Sequence, residues 1–230
     1  MKIEKSETLG RNIRRDDPPE LAHSTWEGVR QAIWAGKAEQ ACAGIDYGCA
    51  EARMMHDAMC SFVDDALTHL AKVAGDESLY EFLVKRYTPV MRRWLSDTPG
   101  VMASMQRAVE FQRGHFAELS VREEPDRFVV TCDPCGSGGR MRRTKKVERV
   151  AKAYDWTWNK TDVPYYCTHC AVMWEMVPIQ LGARPVRITL PPEKDSDPCV
   201  HLYYKDGKAI PEELLKRTSG GARDDIQKNP

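Results

Sequence analysis

The chain has 230 residues, 42% apolar and 30% charged, with 34 Lys+Arg against 34 Asp+Glu. That length allows one or two domains, and that apolar content supports a packed core and excludes wholesale disorder. A net charge of zero excludes a global field that would recruit nucleic acid or an anionic membrane, and no apolar run approaches the roughly 18 residues of a membrane span.

Residues 1–18 read as a flexible polar N-terminal arm, with no apolar signal segment, so a cytoplasmic protein is expected. Ser24-Thr25-Trp26-Glu27 is a capping-box pattern. It predicts a helix to about Gln40, with Trp26, Val29, Ile33 and Trp34 as its apolar side. Gly44 and Asp46 predict a break. The next helix is expected from Ala50 to Val73, because Met55, Met59, Phe62, Val63, Ala66, Leu67, Leu70 and Val73 recur at three- and four-residue steps. A third helix is expected over Glu77–Leu95, kinked near Pro89, and a fourth from Asp97-Thr98-Pro99 to about Arg113. Four helices with short joints predict an antiparallel bundle over residues 19–117.

The texture then changes. Leu119–Glu123 and Arg127–Thr131 flank Glu124-Pro125-Asp126 as a hairpin, and Pro185–Leu190 and Cys199–Tyr204 read as further strands. Ile210–Lys216 reads as a short closing helix and residues 217–230 as a disordered tail. The fold class expected is α+β: a helical bundle followed by a β-rich zinc-binding module over residues 118–216.

Eight cysteines do not imply disulfides here, since the chain is neither small nor visibly secreted. Cys132-Asp133-Pro134-Cys135 and Cys167-Thr168-His169-Cys170 are two C-x-x-C pairs with 31 residues between them. Each such turn aims two thiolates at one centre, and two turns supply the four sulfurs that suit a structural Zn2+. A redox pair and an iron site are the competing readings. His169, Cys199 and His201 lie close enough in sequence to replace one of the four ligands. These four cysteines resemble the broad zinc-ribbon class. The resemblance covers about residues 118–207 and implies a β-rich metal module without a specific activity. The helical half matches no known family pattern.

Gly136-Ser137-Gly138-Gly139 follows the first pair. It reads as a metal knuckle, since it lacks the Lys-Ser/Thr ending of a phosphate-binding loop. Residues 136–152 carry seven basic side chains against Glu148, a local net of +6. Trp156, Trp158, Tyr165, Tyr166 and Trp174 read first as packing for a small core, and otherwise as a stacking surface. On the helices, His56 and Cys60 stand four apart on one flank, the spacing of an activated thiolate pair; a boundary histidine beside an inert buried cysteine is the plainer reading. His115 marks the domain junction.

Two functions are expected from these residues. The first is a small-molecule enzyme, hydrolase-like, or a ligand-binding protein. Its pocket would lie between bundle and module, lined by Trp156, Trp158, Tyr166 and His115, with His56 and Cys60 as its catalytic pair and Arg140 facing an anionic group. The second is an adaptor or regulator that binds nucleic acid or a protein partner through residues 136–152. The balanced overall charge favours the first. The oligomeric state is not legible.

Overall fold

The computed structural model describes residues 1–219, and the expected tail beyond lies outside them apart from its first three positions. It is a mixed helix-and-sheet fold with a long helical N-terminal region. The chain packs as two compact units, 1–58 and from 59 onward, dividing inside a helix rather than near residue 117.

In the first unit the polar arm is a β-hairpin. Strands β1 (Ile3–Ser6) and β2 (Arg11–Arg14) pair antiparallel, with Ile3 opposite Arg14. Arg14 ties the hairpin down by donating to the carbonyls of Glu20 and His23 at 2.7 and 2.6 Å. Helix α1 (Thr25–Trp34) begins at the expected cap, where the Ser24 hydroxyl accepts from Glu27 N–H at 3.2 Å. It ends earlier than expected, and of its apolar side only Val29 is buried; Trp34 is 77% exposed.

Helix α2 runs unbroken from Ala38 to Ala74, so the break expected at Gly44 does not occur. Gly44 and Gly48 serve close packing instead. A Cβ on Gly44 would sit 2.7 Å from the Val29 side chain, and one on Gly48 would sit 3.0 Å from the Trp26 ring. The helix ladder outweighs glycine's helix cost of about 1 kcal/mol once a neighbouring helix fills the space over each glycine.

Past residue 59, α2 turns Cys60, Asp64, Leu67 and Ala71 inward. Most of its expected apolar stripe points outward, with Met55, Met59, Phe62 and Val73 all more than half exposed. Periodicity marks an apolar stripe but does not say what covers it. Helices α3 (Asp76–Asp97, containing Pro89) and α4 (Gly100–Gly114) follow as expected.

The sheet is antiparallel, in the order β3 (Leu119–Glu123), β4 (Arg127–Cys132), β6 (Cys199–Tyr204), β5 (Ile188–Leu190). Its alternation separates two faces. Phe128, Val130, Cys132 and Tyr203 join Leu79, Leu83, Met91 and Trp94 of α3 and Met105 and Ala108 of α4 in one core. Val129, Leu202 and Tyr204 face the other way, with Leu215 of helix α8 (Glu212–Ser219). The helices α3 and α4 are therefore part of the same core as the sheet.

Between the strands the C-terminal half is more helical than expected. Helix α5 (Gly138–Thr144) follows the first cysteine pair. The second pair opens a continuous helical stretch: α6 (Thr168–Ala171), a π-turn (Val172–Met176) and α7 (Val177–Gln180). The second pair is thus carried by a helical turn rather than by β structure, a departure from a ribbon. Trp174 of this stretch meets Trp94 edge-on, with centroids 4.9 Å apart.

Glu175 lies on the same stretch and is fully buried. Its Oε1 accepts from Trp158 Nε1 at 2.8 Å and from Thr189 N–H at 2.9 Å, while Oε2 has no hydrogen-bond partner among the described residues. Burial pushes its carboxyl up to about 7, against the lowering effect of those two donors. An acid raised in the folded state favours folding fully below its unfolded value, and that contribution is lost as pH rises through the folded one. The stability of Glu175→Gln should therefore fall less than that of the parent between about pH 4.5 and 7, by a differential on the order of 3 kcal/mol. Denaturant unfolding of both proteins at pH 5 and pH 8 measures it; parallel pH dependences would show that Glu175 does not titrate in this range.

Candidate metal centre

The β4–β6 register builds the first part of the site. Cys132 pairs directly with Cys199, and Val130 with His201, so Cys132, Cys199 and His201 share the face turned to the main core. Cys132 Sγ lies 3.7 Å from His201 Nδ1. The chain leaves β4 through the first cysteine pair and enters α5 over the glycine run. That run is shaped by contact. A Cβ on Gly136 would fall 1.9 Å from the His115 carbonyl oxygen, and one on Gly138 would fall 2.7 Å from Cys167 Sγ. The glycines thus let the first cysteine pair close onto the second.

Five sulfurs gather here. Cys135 shares a hydrogen bond with Cys199 and has Cys132, Cys167 and Cys170 as electrostatic neighbours. They are neighbours rather than a closed tetrahedron: among the described residues, no three of these sulfurs lie within 4.8 Å of one another. All eight cysteines are free thiols. Burial pushes the Cys132 thiol up to about 12, with Cys135 adding to the shift. Cys135 is held well below the ordinary thiol range by the Cys199 hydrogen bond and by the Ser137 and Gly139 backbone. Cys170 is also lowered: burial works against it, but His169 and Arg187 together outweigh burial.

Two guanidiniums buried in protein point at these sulfurs. Arg187, 1% exposed, donates to Cys170 Sγ at 3.6 Å and stacks over the Trp174 ring with its carbon 4.6 Å from the centroid. Tyr203, also buried, is a polar neighbour of the same guanidinium. Arg142, 5% exposed, donates to Cys199 Sγ at 3.7 Å and to the Asp195 carbonyl at 3.1 Å. A buried cation is costly without polar partners: Arg187 has Cys170 Sγ, whereas Arg142 is held more closely by the Asp195 and Asp197 carbonyls than by Cys199 Sγ. Soft sulfur donors crowded against two cations suit a thiophilic cation such as zinc.

A cavity of about 220 Å3 opens over this group. Cys135, Cys167, Cys170 and Cys199 line it, with Trp158 and Tyr166 as aromatic walls. It lies entirely within the second unit. Of the residues expected at a pocket, only Trp158 and Tyr166 border it. Trp156 is a packing residue, stacked on Tyr154 at 5.0 Å and on Tyr80 at 6.0 Å. Arg140 donates to the carbonyls of His115 and Phe116 at 3.3 and 3.2 Å. His115 caps α4 beside Phe111 and lies within 4.8 Å of Cys60. Cys60 accepts from the Tyr166 hydroxyl at 3.6 Å, in a small apolar cluster with Met141 and Val147. His56, one turn before Cys60 on α2, has Nδ1 2.9 Å from the Asp57 carboxylate.

The basic segment is largely engaged within the protein. Arg143 reaches Asp133, Lys145 bonds Asp64 at 3.2 Å, and Arg149 bonds Asp195 at 2.6 Å. The residues that sequence reasoning passed over are Arg187 and Glu175. The usable signal was Arg187 alternating with Val186 and Ile188 in an otherwise apolar strand. No family model, no curated protein and no solved structure matches the chain.

Gly138→Ala should displace Cys167 and cost about 1–3 kcal/mol, the range for overpacking a closed interior. Gly114→Ala, where a Cβ meets nothing within 4 Å, is the control. Thermal unfolding and counts of reactive thiols in the folded protein read both variants. Equal behaviour would mean that the knuckles are not in contact.

Proposed function

We propose that the second unit is a zinc–thiolate domain whose pocket takes a small molecule, with Cys132, Cys135, Cys167 and Cys170 as the metal ligands. The observation that carries this reading is the pair of buried guanidiniums donating to sulfur. Zinc with four thiolates has a formal charge of −2, and Arg142 and Arg187 together offset it. Neutral thiols would leave Arg187, which donates to Cys170 Sγ, beside no anion there. Cys199 and His201 then border the metal without being required for it.

A four-cysteine site has no open coordination position, so the ion supplies folding energy and shapes the pocket floor. Ligand recognition falls to Trp158 and Tyr166, an aromatic wall fit for a planar small molecule. In its catalytic form this is a hydrolase-like enzyme. The reading places the protein in a reducing compartment such as the cytoplasm, where thiols persist. No described helix is long and apolar enough to cross a membrane. The engagement of Arg143, Lys145 and Arg149 with internal acids favours this reading over a nucleic-acid footprint at residues 136–152.

Elemental analysis of the full chain, purified without added zinc, should find one zinc per chain. Cys132→Ser and Cys170→Ser should each lose it. Because α3 and α4 share the core with the sheet, these variants should also lose the helices of the second unit, seen as a drop in helical circular dichroism. Cys42→Ser, at an exposed thiol of α2, should retain both metal and stability. Metal-free protein, or full zinc content in both ligand variants, would overturn the assignment.

A further inference from the structure

Under the zinc–thiolate reading, on which this inference rests for its metal, Cys199 is a sulfur left over beside the four ligands. Its hydrogen-bond partner among them is Cys135, and that bond dominates the acidity of both thiols. Both side chains are partly exposed and line the cavity, whereas Cys132, which faces Cys199 across the strands, is sealed from water. Both also stand where the backbone is free to give. Cys199 is the first residue of β6, after the exposed run Glu193–Ser196, and Cys135 lies in the turn between β4 and α5. Two sulfurs already in hydrogen-bond contact at such positions need little backbone movement to reach disulfide geometry. Donors surround the pair: the Ser137 and Gly139 backbone at Cys135, and Arg142 at 3.7 Å from Cys199 Sγ. Such donors favour the thiolate, which is the form that attacks an oxidant.

We propose that Cys135 and Cys199 are an oxidative modification site, at which a hydroperoxide joins them as a disulfide and the zinc is released. The Cys135 thiolate attacks the outer oxygen of the hydroperoxide through the cavity. The O–O bond breaks, the departing oxygen takes up a proton and leaves as an alcohol (as water, for hydrogen peroxide), and Cys135 becomes a sulfenic acid. The Cys199 sulfur then attacks the Cys135 sulfur. The S–O bond breaks, and the hydroxyl leaves as water with the Cys199 proton. Two electrons pass from the two sulfurs to the peroxide, and no other reactant is needed. The metal thereby loses one of its thiolates together with that thiolate's charge, and metal binding that depends on deprotonated sulfur weakens accordingly. Cys199 thus has a role that metal binding alone does not give it: it is the resolving thiol.

The reduced full chain, with its zinc content measured beforehand, is treated with hydrogen peroxide. Peptide mapping without reductant should find Cys135 linked to Cys199, and a zinc-chelating dye should register the metal as it leaves. Dithiothreitol should undo the link. Cys199→Ser should keep its zinc before treatment and release it on the order of tenfold more slowly under peroxide, because the thiol beside the sulfenic acid is gone. Cys42→Ser, at an exposed thiol, should behave as the parent does. A link between any other pair of cysteines, or equal zinc release from Cys199→Ser, would overturn the site. Zinc content before treatment judges the metal reading and the mapped link judges the thiol pair, so the two fail separately. A chain without zinc overturns the metal release.

Discussion

A guanidinium sealed away from water is among the costliest groups a protein can bury, and this domain buries two beside the same handful of sulfurs. Arg187 comes from the strand side and Arg142 from the helix after the first knuckle. In the zinc–thiolate reading proposed above, negative charge on the cysteines offsets both. The surrounding chain brings these groups together. The β4–β6 register delivers two sulfurs and an imidazole to one face, the glycine run brings the first knuckle onto Cys167, and the helical turn at residue 168 returns the second pair to the same point.

Because the charged centre lies against the main core, its stability is coupled to that of the whole second unit. Tyr203 and Trp174, which border Arg187, belong to the cluster that also holds α3 and α4. A metal bound in this place, as proposed, would act on the helices as much as on the sheet. The cavity over the sulfurs inherits rigid walls, since Trp158 is fixed by Glu175 and Tyr166 by its hydroxyl contact with Cys60.

Local signals in the sequence determined the helix cap at Ser24, the lengths of α3 and α4, the hairpin β3–β4, and the two C-x-x-C turns, because capping, periodicity and turn chemistry act over a few residues. The tertiary structure decided the rest. It chose which side of α2 is buried, since periodicity is blind to what lies opposite. It kept α2 unbroken through Gly44 and Gly48, where neighbouring side chains fill the space a Cβ would occupy. It brought Arg187 and Cys199 to the sulfurs from positions distant in sequence. Charge compensation inside a core depends on which groups become neighbours in space, and no local stretch of residues encodes that.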